Sequence, residues 1–102
     1  MDYQVRLSRS ARSDLEDIVR YISIDDPDNA LCFGRFLIQH TTSLSHLPER
    51  GRVVPEFDDQ SVREIIVREY RIVYRVDHQR RRIEVIRFWH AARGIPELVF
   101  LN

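Results

Sequence analysis

The chain has 102 residues and a mass of 12.2 kDa, with 43% hydrophobic and 31% charged residues. This is the size of one domain that can build a core without metals or disulfides, and no apolar run approaches the roughly 20 residues of a membrane span. All 16 basic side chains are Arg and they balance 16 acids, so formal net charge is zero and no Lys is present to act as a general base or Schiff-base amine.

Asp2 to Leu7 alternates in part, with Tyr3, Val5 and Leu7 against Gln4 and Arg6, and predicts a short strand. Ser8 is placed to cap the helix that follows. Ala11, Leu15, Ile18, Val19 and Ile22 form one apolar stripe at helical spacing, ending near Ser23–Ile24. Asp25-Asp26-Pro27 breaks the chain. Asp26 can cap a second helix with Pro27 at its first position. That helix is expected to run to about Leu47, with Ala30, Phe33, Leu37, Leu44 and Leu47 as its main stripe. Leu31 and Ile38 fall off this stripe and make the helix apolar on a second side. Two helices joined by a short turn predict an antiparallel helical hairpin. Cys32 lies in this apolar setting and is expected to be a buried structural thiol.

Pro48-Glu49-Arg50-Gly51 interrupts the chain again. Residues 52–60 predict an irregular loop or a poor edge strand. Val62–Val67, Tyr70–Val76 and Ile83–His90 are rich in Val, Ile and Tyr and predict strands. Arg68-Glu69 is a tight turn without the Asn or Gly that primed turns favour. Asp77–Arg82 is a polar loop. The order is βααβββ: one α+β domain over 1–102, with an N-terminal strand and a helical hairpin packed on a small antiparallel sheet.

Strand alternation assigns faces once register is chosen. A turn at 68–69 pairs Val67 with Tyr70. Pairing Val76 with Ile83 then sets Tyr74 opposite Val85 and Ile72 opposite Arg87. Ile65, Val67, Tyr70, Ile72, Tyr74, Val76, Ile83, Val85 and Trp89 share the expected core face. Glu64, Ile66, Arg71, Val73, Arg75, Glu84, Ile86, Phe88 and His90 share the other. On that face Arg75 lies opposite Glu84, and Arg71 lies opposite Phe88 and diagonal to His90.

The four His do not form a metal-ligand pattern, and no metal or cofactor is expected. No Gly-rich phosphate loop and no nucleophile elbow are visible. What remains is Glu56, Arg71 and His90. A carboxylate base, a guanidinium for a phosphorane and an imidazole acid are the parts for cleaving RNA. The competing reading has Arg71 and Arg75 paired with Glu84 and Glu64 across strands. The run Arg80-Arg81-Arg82 is either a solvated turn or a contact for an acidic partner.

The charge balance is not local. Residues 1–49 carry five Arg and eight acids, a net −3, and residues 50–102 carry eleven Arg and eight acids, a net +3. A helical half of one sign therefore meets a strand-rich half of the other. The single cysteine excludes an internal disulfide, and the N-terminus lacks a signal-peptide pattern, so a cytoplasmic location is expected.

Three stretches together resemble a known family. They are Arg52-Val-Val-Pro-Glu56, then Val62-Arg-Glu-Ile-Ile-Val-Arg-Glu-Tyr-Arg-Ile-Val-Tyr-Arg-Val76, then Ile83-Glu-Val-Ile-Arg-Phe-Trp-His90-Ala-Ala-Arg93. With the first-helix pattern Ser8-x-Ser10-Ala11-x-x-Asp14-Leu15-x-x-Ile18-x-x-Tyr21-Ile22, the chain resembles the RelE/ParE superfamily of bacterial type II toxins. The resemblance spans nearly the whole chain. It implies a growth-arresting, plasmid-stabilising toxin held by a cognate antitoxin in a hetero-oligomer. YoeB-like members are ribosome-dependent mRNA endoribonucleases, and Glu56, Arg71 and His90 fall where they carry Glu, Arg and His. ParE-like members inhibit DNA gyrase and lack the nuclease residues.

Ala91 stands where the nucleases carry Tyr, and the lysines of RelE-like members are absent. The ending His90-Ala-Ala-Arg93-Gly-Ile-Pro96 is most similar to the ParE branch, which is the favoured expectation. Zero net charge also fits poorly with strong nonspecific RNA binding. Under the ParE reading Arg71, Arg75, Phe88, His90 and Arg93 are the target-binding candidates. Leu31 and Ile38 are the antitoxin-binding candidates, because a tail that folds on binding needs an apolar groove.

Overall fold

The computed structural model describes residues 2–98. Chain order is β1 (Gln4–Leu7), α1 (Arg9–Ser23), α2 (Pro27–Ser43), β2 (Arg52–Val53), β3 (Val62–Val67), β4 (Tyr70–Asp77), β5 (Arg82–His90) and a 3-10 turn at Ala91–Arg93. The strands form one sheet in the order β1-β5-β4-β3-β2. The α+β class and the βααβββ core order are as expected. The sheet is mixed rather than purely antiparallel, because β1 pairs parallel to β5 (Gln4↔Arg82 to Leu7↔Val85). The helical hairpin carries the chain from β1 at one edge of the sheet to β2 at the other, and β3 and β4 then lead back to β5 beside β1. Among the described residues no helix is long and apolar enough to cross a membrane.

Both helix starts obey their sequence signals. The Ser8 hydroxyl accepts from the Ala11 N–H at 3.0 Å. The Asp26 carboxylate accepts from the Asn29 N–H at 3.1 Å, with Pro27 at the first helical position. The end of α2 differs from expectation: it stops at Ser43, and Leu47 is exposed. Thr41, Thr42 and Ser43 turn their hydroxyls onto the Ile38 and His40 carbonyls, and such local bonds compete with helix propagation. Cys32 is exposed, not buried, since the inward stripe is Ala30, Phe33, Leu37 and Leu44.

The Arg68-Glu69 turn closes as expected, with Val67 opposite Tyr70. Arg68 takes a left-handed φ of 54°, a conformation that disfavours a branched or long L-residue. Its guanidinium lies over the Phe33 and Phe36 rings, 5.4 and 4.9 Å from their centroids, which offsets part of that cost.

One register expectation fails. Val76↔Ile83, Arg75↔Glu84 and Tyr74↔Val85 hold, but then a bulge intervenes. Val73 faces Arg87, Ile72 faces Phe88, Arg71 faces Trp89 and Tyr70 faces His90, which leaves Ile86 as the extra residue. A one-residue bulge reverses the face of everything beyond it. Phe88 therefore joins the core beneath the helices, with Ala11, Ile18, Phe33, Leu37, Ile72 and Tyr74, in place of Trp89. The opposite, open face keeps a smaller cluster of Val54, Val62 and Val73.

Beyond Leu7, the edge of β5 that faces away from β4 has no partner strand, and the start of α1 covers it instead. Ser8 N–H donates to the Val85 carbonyl and the Ser8 hydroxyl donates to the Ile86 carbonyl, both at 2.9 Å. Asp14 then accepts the Phe88 N–H at 3.1 Å. These bonds satisfy the groups that the bulge and the missing strand would leave bare.

The loop into β2 is fixed by close approach. Gly51 donates its N–H to the Tyr74 hydroxyl at 2.9 Å, and a Cβ at Gly51 would overlap the Glu64 carbonyl oxygen. Tyr74 is fully buried. Tyr74→Phe strands the Gly51 N–H and is expected to cost ~1–2 kcal/mol, whereas Gly51→Ala must displace backbone and is expected to cost more, ~2–4 kcal/mol. Urea unfolding midpoints check both, and equal costs would contradict the close-approach argument.

Candidate functional site

Arg71 projects from β4 onto the open face of the sheet. Its diagonal neighbour on β3 is Glu64, and the loop after β2 brings Glu56 over it. Arg71 Nε donates to Glu64 Oε1 at 2.5 Å. Its two terminal nitrogens grip Glu56 at 2.7 and 2.9 Å. One of them also reaches the Gly94 carbonyl at 3.4 Å. The other Glu64 oxygen is held by Arg52 of β2, at 2.7 and 2.8 Å. The Glu64 side chain is 0% exposed and that of Arg71 9%. Two guanidiniums and two carboxylates thus form a neutral cluster with Arg71 and Glu64 buried at its centre and Arg52 at its exposed rim.

Its electrostatics follow from the bonds. The Glu56 hydrogen bonds push the Arg71 guanidinium further toward its charged form, against an opposing effect of burial. The same hydrogen bonds hold Glu56 below the ordinary carboxylate range. Glu64 carries the heaviest burial and depends on both arginines, since a buried charge without its partner costs several kcal/mol.

His90 is elsewhere. It pairs with Tyr70 in register, while Arg71 pairs with Trp89, so His90 and Arg71 point to opposite faces of the sheet. The bulge at Ile86 is the cause. His90 Nδ1 accepts the Ala92 N–H at 3.1 Å and so caps the 3-10 turn. Its Nε2 lies 3.5 Å from Glu69, and its ring meets Tyr70 edge-on at 5.2 Å. Of the trio expected for RNA cleavage, Glu56 and Arg71 are brought together and His90 is not. Glu56 and Arg71 also occupy each other's reactive atoms.

The five target-binding candidates divide between the faces. Arg71 and Arg75 lie on the open face. Phe88, His90 and Arg93 line one cleft of about 180 Å³ at the end of the sheet, together with Asp14, Tyr21 and Tyr70. Phe88 is only 2% exposed and forms the floor. Arg93 stacks over the Trp89 ring at 3.8 Å, and Arg87 approaches the same ring at 4.7 Å. Trp89 also donates to the Gly94 carbonyl at 3.2 Å. Arg87 and Asp14 form a two-bond pair at 2.7 and 2.8 Å that ties β5 to α1.

Trp89 as a site residue and the Arg87–Asp14 pair were not singled out from the sequence, whereas Glu64 was named as a cross-strand partner for arginine and does bond Arg71. Glu64 carried a signal, an acid that strand alternation sets on the same face as Arg71 and Arg75. Arg87–Asp14 carried none, being a contact between distant segments.

Leu31 and Ile38 share one groove on the outer side of the hairpin, of about 410 Å³ and almost wholly apolar, with Leu15, Val19 and Gly34. Leu31 is 57% exposed.

The Glu56–Arg71 bond sets a pH dependence. The folded-state pKa of Glu56 lies below its ordinary value of 4.5, so the bond's stabilisation is fully present above that value and is lost as pH falls below it. Glu56→Gln is therefore expected to be less stable than the parent near neutral pH, with the gap closing below about pH 4.5. Thermal melts across that range check it, and a gap that persists in acid would contradict it.

The sequence profile described as "ParE toxin of type II toxin-antitoxin system, parDE" matches residues 5–95. Among curated proteins none matches significantly. Among solved structures, the chromosomal ParDE toxin–antitoxin system from P. aeruginosa superposes with a TM-score of 0.72 at 19% identity, covering 86% of this chain and 95% of that one. The RelBE2 toxin–antitoxin complex from Mycobacterium tuberculosis superposes with a TM-score of 0.65 at 22% identity, covering 88% and 99%. At those identities the likenesses establish the fold. The profile match goes further: because it spans all but the first four and last seven residues, the chain belongs to the ParE toxin family of type II toxin–antitoxin systems.

Proposed function

We propose that this toxin arrests growth by binding DNA gyrase, without chemistry of its own, and is neutralised by a cognate antitoxin. The observation that carries the reading is the state of Arg71. A nuclease needs an Arg with donors free for a phosphorane and an acid within reach of the leaving oxygen. Here Glu56 and Glu64 take the Arg71 donors, and the imidazole faces away. A binder needs no such constellation. It needs a concave patch with aromatic and Arg anchors, and the cleft of Tyr21, Tyr70, Phe88, His90 and Arg93 has that composition. In this reading His90 and Arg93 touch the target. Arg71 holds the open face in shape, and Arg75 extends that face. A role in plasmid stabilisation and a cytoplasmic site of action belong to the same proposal.

The antitoxin is proposed to lay an apolar segment into the groove bearing Leu31 and Ile38, as a helix or extended tail that folds on contact.

Two experiments test these statements. Purified toxin is expected to inhibit gyrase supercoiling and leave translated mRNA intact, and Arg93→Ala is expected to weaken inhibition by ~10-fold or more. Discrete ribosome-dependent mRNA cuts that vanish in His90→Ala would refute the gyrase reading and restore the endoribonuclease one. For the antitoxin, Leu31→Glu with Ile38→Glu is expected to weaken capture by about 100-fold at unchanged thermal stability, since both side chains leave the core untouched. Full-strength capture by the double variant would place the antitoxin elsewhere.

A further inference from the structure

A second cleft lies on the open face, at the end of the sheet where β4 turns into β5. It measures about 460 Å³ and is lined by Arg6, Arg75, Arg80 and Arg82 with Asp77 and Glu84. We infer that this cleft binds the phosphodiester backbone of a nucleic acid.

The placement follows from register. Val5, Leu7, Ile83, Val85 and Val76 pack beneath the helices, so their neighbours face the open side. Arg6, Glu84 and Arg75 then form one row across β1, β5 and β4, and Gln4, Arg82 and Asp77 form the next. Each acid in these rows is flanked by arginine. Four arginines against two acids leave the cleft formally +2 in a chain whose total is zero.

The arginines differ in how far they are committed. Arg80 pairs with Asp77 at 3.3 Å across an exposed surface, a bond of little strength. Arg6 bonds the Gln4 amide oxygen at 3.3 Å. Among the described residues neither Arg6 nor Arg82 has a carboxylate at ion-pairing distance. Their planar forks suit paired oxygens of a phosphate.

The turn that carries Arg80 is also fixed. Asp77 accepts the Arg80 N–H at 3.1 Å, and the Arg81 carbonyl accepts the Gln4 N–H at 2.9 Å, which ties the turn to β1. The backbone that carries these arginines is therefore placed before a ligand arrives. A strand fits better than a lone nucleotide. The cations extend along two cross-strand rows, and no Gly-rich loop offers the backbone N–H cradle of a nucleotide site.

Zero overall charge forecasts weak, salt-sensitive binding rather than tight coating. The inference is independent of which macromolecule the toxin inhibits. The test is fluorescence anisotropy of the full chain with a short labelled DNA duplex and, separately, a single-stranded RNA of the same sequence. Two or three phosphate contacts predict that affinity falls ~10- to 40-fold when salt rises from about 50 to about 200 mM. Arg6→Gln with Arg80→Gln and Arg82→Gln is expected to remove at least 10-fold of the affinity and flatten that dependence. Arg9→Gln with Arg12→Gln, on the exposed side of α1, is the control and is expected to leave binding within about twofold.

Preference for the duplex or for RNA tells which source supplies the backbone, and either result supports the site. Absence of binding at low salt, unchanged binding by the triple variant, or an equal loss in the α1 control would overturn it. Inorganic triphosphate displacing neither probe at millimolar concentration is expected. Displacement at micromolar concentration would make the cleft a small-anion site instead. Gyrase takes no part in these measurements, so their failure is distinct from failure of the proposed target.

Discussion

The hydroxyl of Ser8 decides which residues of this toxin can meet. It accepts from Ala11 and so starts α1, and it donates to Ile86 and so seats the bulge in β5. The bulge turns Phe88 into the core and leaves Trp89 beside Arg71 on the open face. Without the extra residue, His90 would share a face with Arg71 and Glu56, and the parts of an RNA-cleaving site would lie together. One backbone irregularity, held by the side chains of Ser8 and Asp14, separates them. Bulges near sites commonly re-aim side chains in this way.

The cluster around Arg71 completes that separation energetically. A guanidinium has five donors in a fixed plane, and here carboxylates and a carbonyl take four contacts. Releasing Arg71 toward a phosphate would uncover Glu64, which is wholly buried. Arg52 alone would then have to balance it, and a buried carboxylate that loses one of its two partners is costly. The cluster therefore resists being recruited for chemistry. It joins β2, β3, β4 and the loop carrying Glu56, and it stands in for a hydrophobic core on a face where the apolar cluster is small. A lysine would not reproduce this arrangement, because an ammonium lacks the planar fork that grips Glu56 by two bonds while a third donor reaches Glu64.

Much of the fold could be read in the residues. Ser8 and Asp26-Pro27 mark the helix starts, the stripe through Ala30, Phe33 and Leu37 marks the buried side of α2, and the 68–69 turn fixes the β3–β4 register. These are local signals. The parallel pairing of β1 with β5 joins the two ends of the domain, and nothing near Val5 encodes it. The bulge was invisible for a different reason. Val85, Ile86 and Phe88 are all apolar and all buried, so either face accepts them and alternation loses its meaning. The end of α2 had a legible cause, the Thr41-Thr42-Ser43 run, but Leu44 and Leu47 continued the stripe and outweighed it. At the site, Glu56 and Arg71 were legible as partners in chemistry. Their actual relation, as mutual counter-ions, depends on Glu64 arriving diagonally from β3.

The arginine supply acquires a meaning from this geometry. The +3 half of the chain is the sheet half, yet its arginines are not equivalent. Arg52 and Arg71 are consumed by Glu64 and Glu56, and Arg87 by Asp14. These pairs cross between elements and fix the fold. Arg82, with Arg6 from β1, stands at the other end of the sheet without such partners among the described residues, and Arg93 rides on Trp89 in solvent. Structural pairing therefore withdraws the central arginines from binding and leaves cations at the two ends of the sheet. A net charge of zero averages over this division. A surface of that kind recognises by position rather than by total charge, because exposed charges separated by more than a Debye length of ~8 Å scarcely reinforce one another at physiological salt. Each end can then select a ligand of its own.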